Sequence, residues 1–468
     1  MNRIGMQKFA LVLGMMSLFA AAPAFAQKQT PPPGGAPKAF ALPAHETYTL
    51  ANGMKVTLVP YGTLPKVTAS LVVRAGTVHQ TPEQYSVASV LGSLLKEGTT
   101  TRSAKQLAEE FAQMGGDLNV GIGEDESAFT TDVLSEFGPS AVKLLADVAQ
   151  HPLLPESELA RLKNDAVRQV TIARSIPQQI AGERFRKILY LDHPYGRILP
   201  AAEDIQKQST ANAKAFYEAN FVASRAHLYV AGRFDGAAVK KAIADSFSGW
   251  PKGSAAATPA PKTQAKHVLD VTDRPGAAQS TIFVGLPVPS AESPDNIPLA
   301  VTNMLLGGSF GSRITSNIRE QKGYTYSPSS QISRRVHDAY WVETADVTTA
   351  VTGASLKEIF AEVERLQKEA PGAEELKGIQ SFISGLFVIQ NSTRGALIGQ
   401  LRYVNLQGLG EDYLKTYVQK VNAVTPGDVQ RMTAQYIKPE QMTIVVVGDK
   451  AKISEQLAPY AAAGDSNK

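Results

Sequence analysis

Two similar segments, one in each half of the chain, constrain its fold most strongly. One runs from Phe216 to Asp235 (FYEANFVASRAHLYVAGRFD) and the other from Met432 to Lys450 (MTAQYIKPEQMTIVVVGDK). Each has the pattern of a helix end, a surface turn and an apolar strand that closes on a glycine, Gly232 or Gly448. These glycines lie 216 positions apart, which is far longer than a solenoid repeat unit. The spacing predicts two copies of one domain.

A stretch rich in Pro and Ala at 251–266 (PKGSAAATPAPKTQAK) separates the two copies and is typical of a linker. Each copy opens with strands followed by a helix: Lys55–Val59 and Val67–Arg74 in the first, Ser280–Val284 in the second. We therefore predict an α+β fold of two tandem homologous domains, at 44–250 and 267–460, each a mostly antiparallel sheet packed with helices. A short tail follows at 461–468.

Residues 1–26 have the composition of a cleavable signal peptide. Arg3 and Lys8 flank the start of an apolar run that is too short to span a bilayer, and Ala24-Phe25-Ala26 is a small-residue cleavage site. A leader rich in Pro and Gly follows at 27–43. The chain has no cysteine, and its formal net charge of +4 falls to +2 without the signal peptide. These features predict a periplasmic protein with no membrane span and no nucleic-acid partner.

The candidate site begins in the stretch from Tyr85 to Ser103 (YSVASVLGSLLKEGTTTRS). Its first part predicts a helix over 85–96, because apolar residues recur there at the spacing of a core-facing stripe. The stripe consists of Val87, Val90, Leu91, Leu94 and Leu95. A capping box, Ser103-x-x-Gln106, predicts the start of the next helix, and Gly115-Gly116 predicts its end.

This stretch resembles the zinc helix of the insulinase (pitrilysin-like) metallopeptidases, which carry an H-x-x-E-H motif shortly before a Gly-Thr and an Arg-Ser. Here Gly98-Thr99 and Arg102-Ser103 hold the matching places. The five motif positions therefore fall at Ser89, Val90, Leu91, Gly92 and Ser93. The resemblance covers nearly all of the chain beyond the signal peptide, through GGDLNV at 115–120, DHPYG at 192–196 and LLGGSFGSRITSNIREQKGYTYS at 305–327.

The degenerate zinc-motif positions supply no zinc ligand. Zinc takes imidazole, thiolate or carboxylate donors, whereas Ser89 and Ser93 offer neutral hydroxyls and Gly92 offers no side chain. The third ligand of the family, a glutamate on a later helix, corresponds here to Leu162 or Lys163. None of the 7 histidines lies in an H-x-x-E-H or H-E-x-x-H pattern elsewhere. We expect no metal and no cofactor in this chain, and a zinc ion in a partner subunit.

The second half keeps another motif of the family. Arg319 and Tyr326 stand seven residues apart, as in the family pattern L-R-x-x-x-x-x-x-Y, with Ile318 in place of the leucine. The resemblance implies that the tyrosine hydroxyl hydrogen-bonds a developing oxyanion and that the arginine holds a substrate carbonyl, both in trans. It also implies a substrate-binding loop upstream, at Gly307, Gly308 and Gly311. Alternatively, these glycines only turn a helix into a loop.

Two-subunit members of the family divide the labour, since one subunit keeps the zinc motif and the other supplies the Arg/Tyr pair. The resemblance thus implies the non-zinc subunit of a periplasmic two-chain zinc peptidase. Its partner would be a homologous zinc-bearing subunit, and its substrates peptides or unfolded proteins. The alternative is a binding or scaffolding protein with the same fold. A self-sufficient hydrolase is disfavoured, because the sequence offers no evident nucleophile–base pair.

Two further expectations concern side chains near these motifs. Glu124-Asp125-Glu126 lacks the spacing of a calcium loop and predicts a solvated loop. Tyr324 occupies a position that is often apolar in the family, so we expect it to pack against the core.

Overall fold

The computed structural model describes residues 40–258, 260–263 and 265–461. The predicted signal peptide, the leader as far as 39 and the tail from 462 onward lie outside these residues. Eleven strands of the described chain form two sheets, six strands before the linker and five after it. The strands are β1 Glu46–Thr49, β2 Lys55–Pro60, β3 Lys66–Val73, β4 Asn119–Ile122, β5 Ser127–Leu134, β6 Ala226–Gly232, β7 Val268–Asp273, β8 Gln279–Val288, β9 Ser329–Arg335, β10 Asp338–Thr348 and β11 Thr443–Gly448.

The two sheets have the same topology. The first has the strand order β1-β2-β6-β3-β5-β4 and the second β7-β11-β8-β10-β9, so the orders coincide once β1 is set aside. In each sheet the strand that ends on the repeated glycine has a parallel neighbour on one side and an antiparallel neighbour on the other. The remaining pairs are antiparallel. The predicted fold class, two tandem α+β domains with mostly antiparallel sheets, is confirmed.

Helices connect and cover the strands. They are α1 Val87–Leu94, α2 Ala104–Gln113, α3 Gly138–Gln150, α4 Glu156–Ala173, α5 Pro177–Tyr190, α6 Ala202–Gln206, α7 Thr210–Asn220, α8 Gly236–Phe247, α9 Asn296–Asn303, α10 Arg313–Thr315, α11 Thr352–Lys368, α12 Ala373–Gln390, α13 Arg394–Leu406, α14 Asp412–Ala423, α15 Pro426–Tyr436 and α16 Lys450–Leu457. Two π-helical segments continue α9 and α10, Met304–Gly308 and Ser316–Gln321. Short 3₁₀ turns lie at Thr77–His79, Pro82–Gln84, Ser135–Phe137, Pro194–Gly196, Ala223–Arg225, Thr349–Val351, Pro439–Gln441 and Ala458–Tyr460. No helix among the described residues is long and apolar enough to cross a membrane.

Local sequence signals place several of these elements well. Strands β1 and β2 form a hairpin, with Gly53 at φ +90° in its turn, a conformation that glycine adopts without strain. Helix α2 begins after the predicted capping box, in which the Ser103 hydroxyl accepts from the backbone N–H of Gln106. Helix α1 is shorter than the predicted 85–96, because the chain already turns toward Gly98, at φ +113°.

Each sheet is covered on its second face by a helix from the other half. Helix α5 lies across β8 and β11 of the second sheet, where Phe185 and Leu189 are buried against Tyr340 and Val445. Helix α13 lies across β3 and β6 of the first sheet. Burial on both faces explains why β6 and β11 are buried at every position, although one-sided strands alternate polar and apolar residues.

The expectation of a solvated loop at Glu124-Asp125-Glu126 is wrong. The three carboxylates lie at the contact between the two halves and bind basic or phenolic groups there. Glu124 pairs with Arg186 Nη1 at 2.6 Å and with Arg335. The Tyr195 hydroxyl donates to Asp125 Oδ1 at 2.6 Å, and Glu126 Oε2 lies 3.6 Å from Nη2 of Arg402. Because the partners are remote in sequence, the local composition could not reveal this pairing.

Candidate functional site

Helix α1 carries the degenerate zinc-motif positions on a well-packed scaffold. Its apolar stripe, Val87, Val90, Leu91 and Leu94, is buried in the first core, as predicted. Ser89 is exposed and Ser93 half-buried, one turn apart on the same face. The Ser93 hydroxyl donates to the backbone carbonyl of Ser89 at 3.4 Å, a bond internal to the helix. The two serines keep the spacing of a pair of zinc ligands, but their hydroxyl groups are not zinc ligands.

At Gly92, the neighbouring strand fills the space that a side chain would need. An added Cβ would lie 2.4 Å from Cγ1 of Ile122, the last residue of β4. Real Cβ atoms do not approach so closely, because interiors are packed at the density of organic crystals. A glutamate in the fourth motif position would therefore require the Ile122 side chain to move.

The later helix that bears the third ligand in the family also keeps its place. Helix α4 packs against α1. Leu162 is buried in the first core, while the Lys163 ammonium donates to the carbonyls of Gln206 at 2.7 Å and Gln208 at 3.0 Å. The described residues contain no group of three His, Cys, Asp or Glu that could hold a metal ion. An apolar side chain, a cation and two hydroxyls do not fit a zinc ion.

The Gly-Thr and Arg-Ser pairs that set the register have a structural role. The Thr99 N–H donates to the Arg102 carbonyl at 2.7 Å and closes a tight loop after α1. Asp147 on α3 binds this loop through the Thr99 hydroxyl at 2.8 Å and Arg102 Nη1 at 2.9 Å. The loop keeps helices α1 and α3 together, which does not require a metal.

The structure brings Arg319 and Tyr326 together and adds a third residue. The Arg319 guanidinium carbon lies 4.8 Å from the centre of the Tyr326 ring and 4.2 Å from the centre of the Phe310 ring. Both distances are within the range of cation–π attraction. Phe310 is 70% exposed and Tyr326 is 78% exposed, whereas the Arg319 side chain is only 22% exposed. Two accessible rings therefore hold the arginine in place.

Both Arg319 and Tyr326 retain hydrogen-bonding capacity. Arg319 Nε lies 3.1 Å from Oε1 of the adjacent Glu320, and this ion pair leaves the terminal nitrogens of the guanidinium available. The exposed phenol group of Tyr326 can donate one hydrogen bond. Tyr324 is half-buried against the second core, as expected. Sequence reasoning missed Phe310, for which the one available signal was an aromatic residue between glycines in a surface loop.

The three glycines of the implied substrate-binding loop differ in their surroundings. At Gly307, an added Cβ would lie 2.5 Å from Glu343 Oε2. At Gly308, it would lie 2.5 Å from Asn303 Nδ2. Both glycines belong to the π-helical segment after α9 and are required by packing within this half. Gly311 is exposed, with open space at its Cβ position. An approach of this loop to a peptide stays a prediction, and Gly311 is its best-placed member.

The residue packed against Gly307 is an unusual carboxyl group. Glu343 on β10 is fully buried between the π-helical segment and β9. Burial raises its pKa well above the usual range, and the backbone of Ser329 offsets this only in part. Glu343 supports the segment that leads into the Phe310 loop.

Two segments of the chain match models of known protein families. Residues 56–203 match the model of the insulinase family, peptidase family M16. Residues 209–382 match the model described as the peptidase M16 inactive domain. The chain belongs to the insulinase family. The family resemblance inferred from Gly98-Thr99, Arg102-Ser103 and the Arg/Tyr pair is confirmed.

Curated relatives of this insulinase-family chain are named as zinc proteases. An uncharacterized zinc protease of Bacillus subtilis, YmxG, is 27% identical over 281 residues, 60% of this chain and 68% of the relative. An uncharacterized zinc protease of Rickettsia felis is 24% identical over 342 residues, 73% of this chain and 82% of the relative. Their names speak of zinc, whereas the motif positions here hold no zinc ligand.

Solved structures share the fold. A peptidase M16 inactive domain from Pseudomonas fluorescens matches with a TM-score of 0.81 at 24% identity, covering 86% of this chain and 98% of that one. A protease from Helicobacter pylori matches with a TM-score of 0.80 at 20% identity, covering 87% and 100%. At these identities the likeness establishes the architecture alone.

Proposed function

We propose that this insulinase-family chain is the non-zinc subunit of a periplasmic two-chain zinc peptidase. The observation that carries the proposal is the exposed stack of Phe310, Arg319 and Tyr326. The lost zinc positions and this stack lie in different halves of the chain, so one function was given up while the other was kept. A purely scaffolding protein has no need of two accessible aromatic rings around an arginine.

The stack suits the stabilisation of charge on a reacting peptide. The Tyr326 hydroxyl would donate a hydrogen bond to the oxygen of the attacked carbonyl as negative charge develops there. The terminal nitrogens of Arg319 would bind a neighbouring carbonyl and fix the register of the peptide. The two rings limit the motion of the guanidinium, so little entropy is lost when it binds.

The zinc ion, with its activated water and glutamate base, would be held by a homologous subunit that carries an intact H-x-x-E-H motif. Substrates would be peptides or unfolded segments, bound extended as an added strand at a sheet edge. In this chain β4 and β9 are edge strands, and β9 begins three residues after Tyr326. Backbone binding at such an edge is tolerant of sequence, which suits a degradative peptidase.

The test is a reconstituted pair. This chain is co-expressed with an exported homologue from the same genome that carries H-x-x-E-H, and the complex is assayed on a fluorogenic peptide. We expect Tyr326→Phe to lower kcat about 10²-fold, because one oxyanion donor is lost, while the ring remains against Arg319. Assembly, followed by size-exclusion chromatography, should not change.

The matched control is Tyr324→Phe, which removes a hydroxyl two residues away from a half-buried ring. We expect it to leave kcat unchanged. Equal turnover by the wild-type pair and the Tyr326→Phe pair would remove the catalytic role. Stoichiometric zinc in this chain alone, measured by mass spectrometry of the metal, would contradict the division of labour.

A further inference from the structure

A small cavity lies where the first sheet, the linker and helix α13 meet. Its volume is about 210 Å³. The ends of β2, β3 and β6 form its floor, Ala255 and Ala256 of the linker close one side, and Asn405 of α13 closes another. It is separate from α1 and from the Phe310 loop, neither of which contributes a residue to its lining.

The charged groups of this cavity are unbalanced. Its lining includes three cations, Lys55, Arg74 and Arg225, and one carboxylate, Glu126. Glu126 already has a cationic neighbour, since Nη2 of Arg402 lies 3.6 Å from its Oε2. The three cations of the lining therefore outnumber its one carboxylate, which also interacts with Arg402. Positive charge that is partly withdrawn from water and left uncompensated is unfavourable.

Arg74 interacts with the carboxylates of Asp125 and Glu126 through its charge, but one of its donors is unused. Its Nε is buried and has no hydrogen-bond partner in the described part of the chain. Its backbone N–H donates to the carbonyl of Arg225 at 2.9 Å, which places the two arginines side by side at the end of the β3–β6 ladder. A guanidinium in this position presents parallel N–H donors that match the oxygens of a carboxylate or phosphate.

Arg225 is held more firmly. Its Nη1 donates to Asn220 Oδ1 at 2.7 Å and its Nε to the linker carbonyl of Ser254 at 3.0 Å. Burial lowers the pKa of Arg225, although an arginine remains charged at any physiological pH. Both bonds go to neutral acceptors, so they orient the guanidinium without neutralising it.

The remaining polar wall is neutral. The imidazole of His227 stacks on the ring of Tyr229, with 3.9 Å between the ring centres, and its Nε2 lies 2.8 Å from the Thr57 hydroxyl. Burial, assisted by the charge of Lys55, lowers the pKa of His227 to about 3. At neutral pH this histidine therefore contributes a flat surface to the cavity and no charge.

We propose that this cavity binds a small dianion that carries phosphate or carboxylate oxygens. Arg74 and Lys55 would be its principal charged donors and Arg225 a preoriented third. Because the linker and α13 also line the cavity, the bound anion would link the second half of the chain to the first sheet. Binding to the folded state alone stabilises that state by mass action. The proposal does not depend on the peptidase role.

The experiment is isothermal titration calorimetry on the full chain at pH 8, where inorganic phosphate is a dianion. Phosphate and succinate are titrated separately, with ionic strength held constant by sodium chloride. We expect one saturable site for at least one of them and a melting temperature that rises with its concentration. Phosphate binding alone would indicate a phosphoryl ligand, and succinate binding alone a dicarboxylate; both outcomes support the site.

Variants connect the binding to the cavity. Arg74→Gln and Lys55→Gln should each weaken the affinity about tenfold, the scale of one charge-assisted contact. Arg168→Gln, which removes an exposed arginine of α4, is the matched control and should bind normally. Because Lys55 is exposed, we expect Lys55→Gln to fold normally. If Arg74→Gln does not fold, the affinity of Lys55→Gln therefore tests whether the anion binds in this cavity. Absence of saturable binding by both anions, or wild-type affinity in the folded variants, would overturn the proposal.

Discussion

Arg319 owes its position to two aromatic rings, one of which belongs to no motif. An exposed cation–π contact contributes about 0.5–1 kcal/mol. The rings of Phe310 and Tyr326 together can therefore hold the guanidinium with Glu320 as its one acidic neighbour. The seven-residue spacing of Arg319 and Tyr326 could be read from the sequence. The contribution of Phe310 could not, since nothing in the pattern fixes the path of the glycine-containing loop.

His79 is a residue whose environment sets a pH dependence of stability. Burial, followed by the charge of Arg225, lowers its pKa to about 4. The unfolded chain takes up this proton near pH 6.5, so the folded state loses stability as pH falls from about 6.5 to 4. His79→Asn keeps an acceptor for the Gly76 N–H. Between pH 7.5 and pH 5 we expect its free energy of unfolding to fall by about 2 kcal/mol less than that of the wild type.

Urea unfolding at the two pH values measures this difference directly. His151→Asn, at an exposed histidine that ends α3, serves as the control and should follow the wild type. An identical loss of stability in His79→Asn and wild type would show that folding does not lower the pKa of His79.

At the scale of single elements, local sequence patterns predicted that a helix or turn exists better than they predicted what it packs against. The stripe on α1, the cap at Ser103 and the turn at Gly53 follow from side-chain periodicity and backbone geometry, which act within a few residues. The pairing of β4 with β5 and the burial of Glu124–Glu126 were missed. The hairpin lies within the first half, whereas the burial of the carboxylates depends on partners remote in sequence, such as Arg335 and Arg402, which no local signal reports.

Helical glycines provide a test of what packs against each element. Gly92→Ala in α1 should lower the free energy of unfolding by about 1–3 kcal/mol, because the new methyl group would overlap Ile122 on β4. Gly378→Ala in α12 meets open space and should raise it by up to about 1 kcal/mol through helix propensity. Urea denaturation measures both.

The two substitutions are expected to change the free energy of unfolding in opposite directions. A stabilising Gly92→Ala would mean that the Ile122 side chain moves aside at little cost. The fourth position of the zinc motif would then have room for a side chain after all.

At the scale of the whole molecule, the two halves complete one another's cores. Helix α5 from the first half covers the second sheet, and helix α13 from the second half covers the first. Neither sheet can bury both faces with its own half alone. We therefore expect the two copies to unfold in one cooperative transition, although the sequence reads as two tandem domains.

Phe185→Ala tests this reciprocal packing. The ring is 1% exposed and contacts Tyr340 and Phe283 of the second sheet. Its loss should lower the free energy of unfolding by about 3–5 kcal/mol and destabilise both halves together. Ile172→Ala on the exposed side of α4 is the control, with a change within about 0.5 kcal/mol.

Far-UV circular dichroism during urea denaturation, combined with limited proteolysis at the linker, reports the transition. Two separated transitions, with only the second-half transition affected by Phe185→Ala, would contradict the view of a single cooperative unit.

The sequence by itself determined the duplication, the family and the absence of zinc ligands at the motif positions. These conclusions depend on which residue types stand at which spacing, and donor chemistry at Ser89, Gly92 and Ser93 does not change with folding. Only the tertiary structure decided that Phe310 joins Arg319, that Gly307 packs on Glu343, and that three cations meet a single carboxylate beside the linker. Each of these depends on the path of a loop or on residues far apart in the chain, and only the folded backbone brings such groups into contact.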